Sequence, residues 1–218
     1  MLKRLIEKAT RGRLEPVIGI AFFHPASLIA TCFGVGRAPF APGTCGAFVG
    51  IFLPFLLMYL ANCIMDFFPE IDVSGRMVFG FILIFLFQVV LFLIGARAAR
   101  IYMEKTGVSD PASVVIDEVL GSIVAWFTGM LILALAEGVG LISEIPNMGS
   151  SIFFLIFLFF LLVFLFFRLF DIWKPGPIGV IQETMHTGSG VMLDDVVAGI
   201  FAGIATNVVF IPIYWIFA

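Results

Sequence analysis

The amino-acid sequence predicts an all-α membrane protein: a polytopic helix bundle with about five transmembrane helices plus an N-terminal interfacial or re-entrant segment. Hydrophobic residues make up 61% of the 218 residues and charged residues only 12%, whereas soluble domains carry about 25% charge. The mean hydropathy of +1.16 agrees with this class. Because no change of composition or repeat divides the chain, we expect a single domain over residues 1–218.

Five apolar segments are each long enough to cross a bilayer, whose hydrocarbon core of roughly 30 Å requires about 20 helical residues. They cover about residues 44–65, 77–95, 113–136, 148–167 and 190–217. A sixth stretch, 17–36, contains His24-Pro25 and runs into a glycine-rich turn. We interpret this stretch as interfacial or re-entrant rather than spanning, and residues 1–27 as a basic interfacial segment.

The distribution of basic residues supports five spans and predicts their orientation. With the N-terminus inside, 11 of the 12 Lys and Arg residues fall in segments 1–43, 96–112 and 168–189, and only Arg76 falls on the other side. If 17–36 crossed the membrane, five of these basic residues would change sides. Positive charge is enriched on the cytoplasmic side of membrane proteins, so these three segments are predicted to be cytoplasmic.

Two acidic doublets, Asp117-Glu118 and Asp194-Asp195, lie near the predicted cytoplasmic ends of two spans. An ionised residue at a helix centre costs about 2.5–3.5 kcal/mol on insertion scales, which favours a functional role. Asp117, about four residues into its span, is expected roughly 6 Å deep at 1.5 Å per residue, and Asp194 similarly. Since Mg²⁺ prefers oxygen ligands, we predict that all four carboxylates hold metal. The alternatives are neutralisation by a neighbouring arginine and attraction to a helix N-terminus.

A third group follows the fourth span. Arg168 and Asp171 are three residues apart and therefore share a helix face, and Lys174 precedes a Pro-Gly-Pro turn. We predict that Arg168 and Lys174 bind phosphate and that Asp171 is a ligand or an orienting residue. The alternative is a salt-bridged pair at the membrane surface. His186, in the loop before the second doublet, is a candidate general acid or base, or equally a solvated loop histidine.

The fourth group is the glycine- and proline-rich stretch from residue 34 to residue 46. Glycine allows backbone N–H groups to approach an anion, and a helix start adds further donors. We therefore predict that Gly34, Gly36, Arg37 and Thr44 bind the substrate phosphate, with Thr44 as a helix N-cap. The alternative is a tight re-entrant turn without a ligand.

These motifs together resemble the phosphatidylglycerophosphatase A family of bacteria, in order and over about residues 28–205. The resemblance rests on Gly34 to Gly46, Val115 to Glu118, Phe167 to Pro177 and His186 to Gly199. It implies Mg²⁺-dependent hydrolysis of phosphatidylglycerophosphate to phosphatidylglycerol and phosphate, a step in phospholipid synthesis, at the cytoplasmic face of the inner membrane. It identifies as motif positions Asp117, Glu118, Arg168, Asp171, Lys174, Asp194 and Asp195.

The resemblance does not assign roles to these positions. Asp171 remains a ligand, a general base or a nucleophile. We expect a membrane lipid as the partner and no nucleic acid, and the sequence does not predict the oligomeric state. Two other functions remain open: a cation-coupled transporter or channel that uses the intramembrane carboxylates, and a structural protein whose acids pair with its own arginines.

Overall fold

The computed structural model describes residues 20–109, 111–142, 151–185 and 187–217, and the regular secondary structure of this part is helical. The helices are α1 (Pro25–Ala30), α2 (Pro42–Met65), α3 (Val73–Thr106), α4 (Ile116–Gly138), α5 (Ser151–Trp173), α6 (Pro177–Thr184) and α7 (Gly188–Phe217). Five of them, α2, α3, α4, α5 and α7, are long and apolar enough to cross a membrane. The predicted fold class is therefore confirmed.

Two spanning helices extend beyond their apolar runs. α3 has 34 residues and continues well past residue 95, until Gly107 ends it with φ +71°. Arg97, Arg100 and Lys105, which follow the predicted span 77–95, therefore lie on its last turns. α5 continues past residue 167 to Trp173. Arg and Lys are good helix formers, so a helix does not stop where its hydrophobicity stops.

The described part of the stretch 17–36 does not span. α1 has six residues, about 9 Å at 1.5 Å per residue, far short of a bilayer core. Pro25 lies in the first turn, where its missing N–H costs no hydrogen bond. The His24 ring caps the helix by accepting from the Ala26 N–H at 3.2 Å. Residues 1–19, most of the predicted basic interfacial segment, lie outside the described residues.

Glycines bring α4 and α7 into close backbone contact. A Cβ built on Gly199 would lie 2.4 Å from the Gly121 carbonyl oxygen, and one on Gly203 would lie 2.8 Å from the Ala125 carbonyl oxygen. The Phe167 ring of α5 is fully buried and fills the space beside Gly121. Small residues at helix contacts are typical of membrane proteins, where close packing replaces hydrophobic association.

The antiparallel arrangement places the starts of α2, α4 and α7 and the ends of α3 and α5 at one end of the bundle. Gly95 of α3, for example, lies against Met192 of α7 and Ile116 of α4. The short helix α6 joins α5 to α7 at this end and is anchored by the fully buried Ile178. We predicted a loop there, because eight residues behind Pro-Gly-Pro are too few for a helical period to show.

Candidate active site

Three carboxylates converge at this end of the bundle. Asp117 and Glu118 of α4 and Asp195 of α7 each offer one oxygen, and these oxygens lie within 4.8 Å of one another. Glu118 and Asp195 are buried, with 7% and 2% of their surface exposed. Within the described ranges, Asp117 Oδ1 and Asp195 Oδ2 are buried without a hydrogen-bond partner. Buried oxygens without a hydrogen-bond partner are suitable ligands for a hard cation. Such a cation would also offset the repulsion between the three acids.

The carboxylates reach this point from unequal positions in their helices. Asp117 is the second residue of α4, whereas Asp195 is the eighth of α7. Their distances from the helix starts are therefore roughly 1.5 Å and 10 Å, and the prediction that Asp117 lies about four residues into its helix is wrong. The two helices begin at different levels, which compensates for the offset. Asp117 and Glu118 also gain from the α4 dipole as first-turn acids, which does not apply to the second doublet.

Asp194 does not join the other three acids but accepts a hydrogen bond from Lys174 Nζ. Neighbouring helical residues point about 100° apart, and here Asp195 points to the acids of α4 while Asp194 points to Lys174. The structure therefore brings together three of the four predicted metal ligands. The fourth carboxylate, Asp194, instead pairs with Lys174, which we predicted to bind phosphate.

The predicted basic residues form one buried ionic group with Asp171. Arg168 Nη1 donates to Asp171 Oδ2 at 2.6 Å, and Lys174 Nζ lies 3.9 Å from Asp171 Oδ1. Burial opposes the charge of Lys174, but Asp195, Asp194 and Asp171 together outweigh it and raise the pKa of the amine. Arg168 Nε is buried and has no hydrogen-bond partner in the described part of the chain. It can donate to a ligand oxygen.

Hydrogen-bond donors of the glycine-rich turn bond to residues that precede the turn in the chain. Gly34, with φ +97°, donates its N–H to Thr31 Oγ1 at 3.2 Å, and the Gly36 N–H donates to the Thr31 carbonyl at 2.9 Å. The Arg37 guanidinium donates to Ser27 Oγ at 3.2 Å. These three predicted phosphate ligands thus have contacts that stabilise the turn itself. Gly36 also packs on the Ser113 backbone, shortly before the acidic doublet. The phosphate-binding role of the three residues stays a prediction.

Thr44 is not an N-cap, because α2 begins at Pro42 and Thr44 is its third residue. Proline favours the first helical position, which moves the helix start ahead of the threonine. The neighbouring Gly43, to which we assigned no site role, contacts the acid cluster. A Cβ built on it would lie 2.3 Å from Glu118 Oε1 and 3.5 Å from Arg168 Nη1. The only sequence signal for this contact was a glycine in the turn just before a predicted helix start.

His186, the second predicted catalytic residue, lies outside the described residues. Its role as a general acid or base stays a prediction.

Comparison with known proteins agrees with the motifs. The family described as Phosphatidylglycerophosphatase A matches residues 28–210. A protein of that name from Haemophilus influenzae is 29% identical, over 92% of this chain and 96% of its own length. Another from Escherichia coli is 31% identical, over 88% and 86%. A Bacteroides thetaiotaomicron protein provisionally named phosphatidylinositol-3-phosphatase is 32% identical, over 80% and 87%. No solved structure matches the chain.

Proposed function

The chain belongs to the phosphatidylglycerophosphatase A family, and from this premise we propose that it hydrolyses phosphatidylglycerophosphate to phosphatidylglycerol and inorganic phosphate. The observation that carries the proposal is the meeting of three carboxylates, two of them buried, with a largely buried Arg–Asp–Lys group at one end of the bundle. A phosphate monoester is doubly charged and needs cationic partners on several sides. Four spanning helices supply residues to this one place.

Mg²⁺ is the proposed cofactor, and the residues present fit it. Asp117, Glu118 and Asp195 form an all-oxygen set, which is the chemistry that Mg²⁺ selects, and Mg²⁺ commonly combines one or two carboxylates with substrate phosphate. The buried oxygens Asp117 Oδ1 and Asp195 Oδ2 have no hydrogen-bond partner among the described residues. When bound, the ion would neutralise phosphate charge and lower the pKa of a coordinated water.

Arg168 and Lys174 are the proposed phosphate-binding residues. Arg168 keeps Nε available while Nη1 is fixed on Asp171, so its planar group is oriented before a ligand arrives. Asp171 has one oxygen on Arg168 and the other toward Lys174. We therefore assign Asp171 the role of holding both cations in place rather than that of a nucleophile. His186 remains the candidate for proton transfer.

A lipid can reach Arg168 from the side of the bundle. Arg168 lines a shallow groove with Leu165, Leu169, Ile172 and Trp173, and the four apolar side chains are each about half exposed. A phospholipid could therefore keep its acyl chains in the bilayer while its head group enters. With 11 of 12 basic residues in the segments on this side, we assign the site to the cytoplasmic face of the inner membrane.

The proposal is tested with the purified protein in detergent micelles. We expect Mg²⁺-dependent phosphate release from phosphatidylglycerophosphate, with EDTA abolishing it and phosphatidylinositol 3-phosphate reacting more slowly. Faster hydrolysis of the inositol lipid would show that the head-group assignment is wrong. Cation flux in liposomes without any hydrolysis would instead favour the transporter or channel.

A further inference from the structure

We propose that Gly43, at the start of α2, is a positioning residue that holds the Glu118 carboxylate in the metal site. The inference rests on the proposed metal role of the acid cluster and extends it to a residue without any side chain. A Cβ at Gly43 would lie 2.3 Å from Glu118 Oε1 and 3.1 Å from Glu118 Cδ. The absence of a side chain at residue 43 thus determines where this carboxylate can lie.

Moving α2 away from α4 to make room for a larger residue would break the close packing between the two helices. Further along the same helix, a Cβ at Gly46 would lie 2.9 Å from Val115 Cβ, and one at Gly50 would lie 2.3 Å from the Val119 carbonyl oxygen. These contacts place α2 directly against the α4 backbone and the valine that precedes α4. If residue 43 gained a Cβ, the Glu118 side chain would therefore have to move, away from Asp117 and Asp195.

Positive groups also lie beside the point where Glu118 meets Gly43. The first turn of a helix carries a partial positive charge, and α2 has 24 residues. Arg168 Nη1 lies 3.5 Å from the same Cβ position. A carboxylate that packs against Gly43 therefore lies beside both a helix start and a guanidinium.

The proposal predicts that metal affinity and folding stability respond differently to Gly43→Ala. Residue 43 is helical and α-helices favour alanine over glycine. The atom that must yield is the end of a flexible side chain, so the folding cost is small. Changes that misorient a metal ligand typically cost 10–100-fold in metal affinity, and we expect a loss of about tenfold here.

The test measures Mn²⁺ binding by electron paramagnetic resonance, without substrate, because Mn²⁺ and Mg²⁺ share oxygen ligands. Gly43→Ala should bind Mn²⁺ about tenfold more weakly than the wild type while its unfolding midpoint in EDTA stays close to the wild-type value. Gly80→Ala is the matched control, since its Cβ would lie 2.5 Å from the flexible Met58 Sδ, in a contact between α3 and α2 that involves no acid. This control should bind Mn²⁺ like the wild type.

A double substitution makes the test specific for Glu118. Glu118→Asp shortens the side chain by one methylene, which weakens binding in the wild type but makes room for a Cβ at residue 43. The loss caused by Glu118→Asp should therefore be smaller in the Gly43→Ala background. Additive losses, or unchanged affinity of Gly43→Ala, would overturn the inference alone. Failure of the wild type to bind Mn²⁺ would overturn the metal role and the inference together.

Discussion

Replacing Lys174 with methionine removes the buried positive charge between Asp194 and Asp171 and keeps an unbranched side chain. The lysine and Asp194 side chains are only 13% and 5% exposed, so solvent cannot take over the role of the ion pair. Removing one partner of a buried pair costs about 3–5 kcal/mol. We expect the lower end, about 3 kcal/mol, because Asp171 keeps its hydrogen bond from Arg168.

The assay is unfolding in mixed micelles containing EDTA, followed by tryptophan fluorescence. Since the pKa of Lys174 is raised in the folded protein, its stabilisation is complete below the unfolded pKa of about 10.4 and is lost only as pH rises above it. The effect of Lys174→Met should thus be constant from neutral to mildly alkaline pH.

Two further variants identify the origin of the effect. Adding Asp194→Asn should recover part of the lost stability, because the two residues interact directly. Arg100→Met breaks a pair whose side chains are 70% and 60% exposed, and it should leave the unfolding midpoint unchanged. Wild-type stability of Lys174→Met would refute the reasoning.

Three other substitutions test separate parts of the site. Asp195→Asn should abolish Mg²⁺-dependent phosphate release yet raise the unfolding midpoint in EDTA, because it relieves repulsion among buried acids; retained full activity would contradict the metal role. Arg168→Lys keeps the charge but loses the planar fork, and steady-state kinetics should show kcat/KM reduced about tenfold, or about 1.4 kcal/mol. Gly199→Leu should lower the free energy of unfolding by about 1–3 kcal/mol, because the new side chain overpacks against Gly121. Gly138→Ala, in open space, should cost none.

Much of the fold could be predicted from the sequence because a bilayer imposes length and hydrophobicity on each span separately. Hydropathy therefore located the five helices of the described residues that are long and apolar enough to span a membrane. It misplaced the ends of α3 and α5, since helix ends depend on backbone hydrogen bonding and capping rather than on apolar composition. The short helix α6 was not predicted, because its one fully buried residue, Ile178, gives no periodic pattern in the sequence.

The site, like the fold, could be predicted from the sequence only in part. The sequence by itself determined which residues are too costly in a membrane to be incidental, and Asp117, Glu118 and Asp195 do converge. It could not determine that Asp194 turns to Lys174 or that Gly43 touches Glu118. Those contacts depend on how far each helix is rotated and shifted along its neighbours. Glycine contacts between helices set the rotation and the shift, and only the tertiary structure brings such distant positions together.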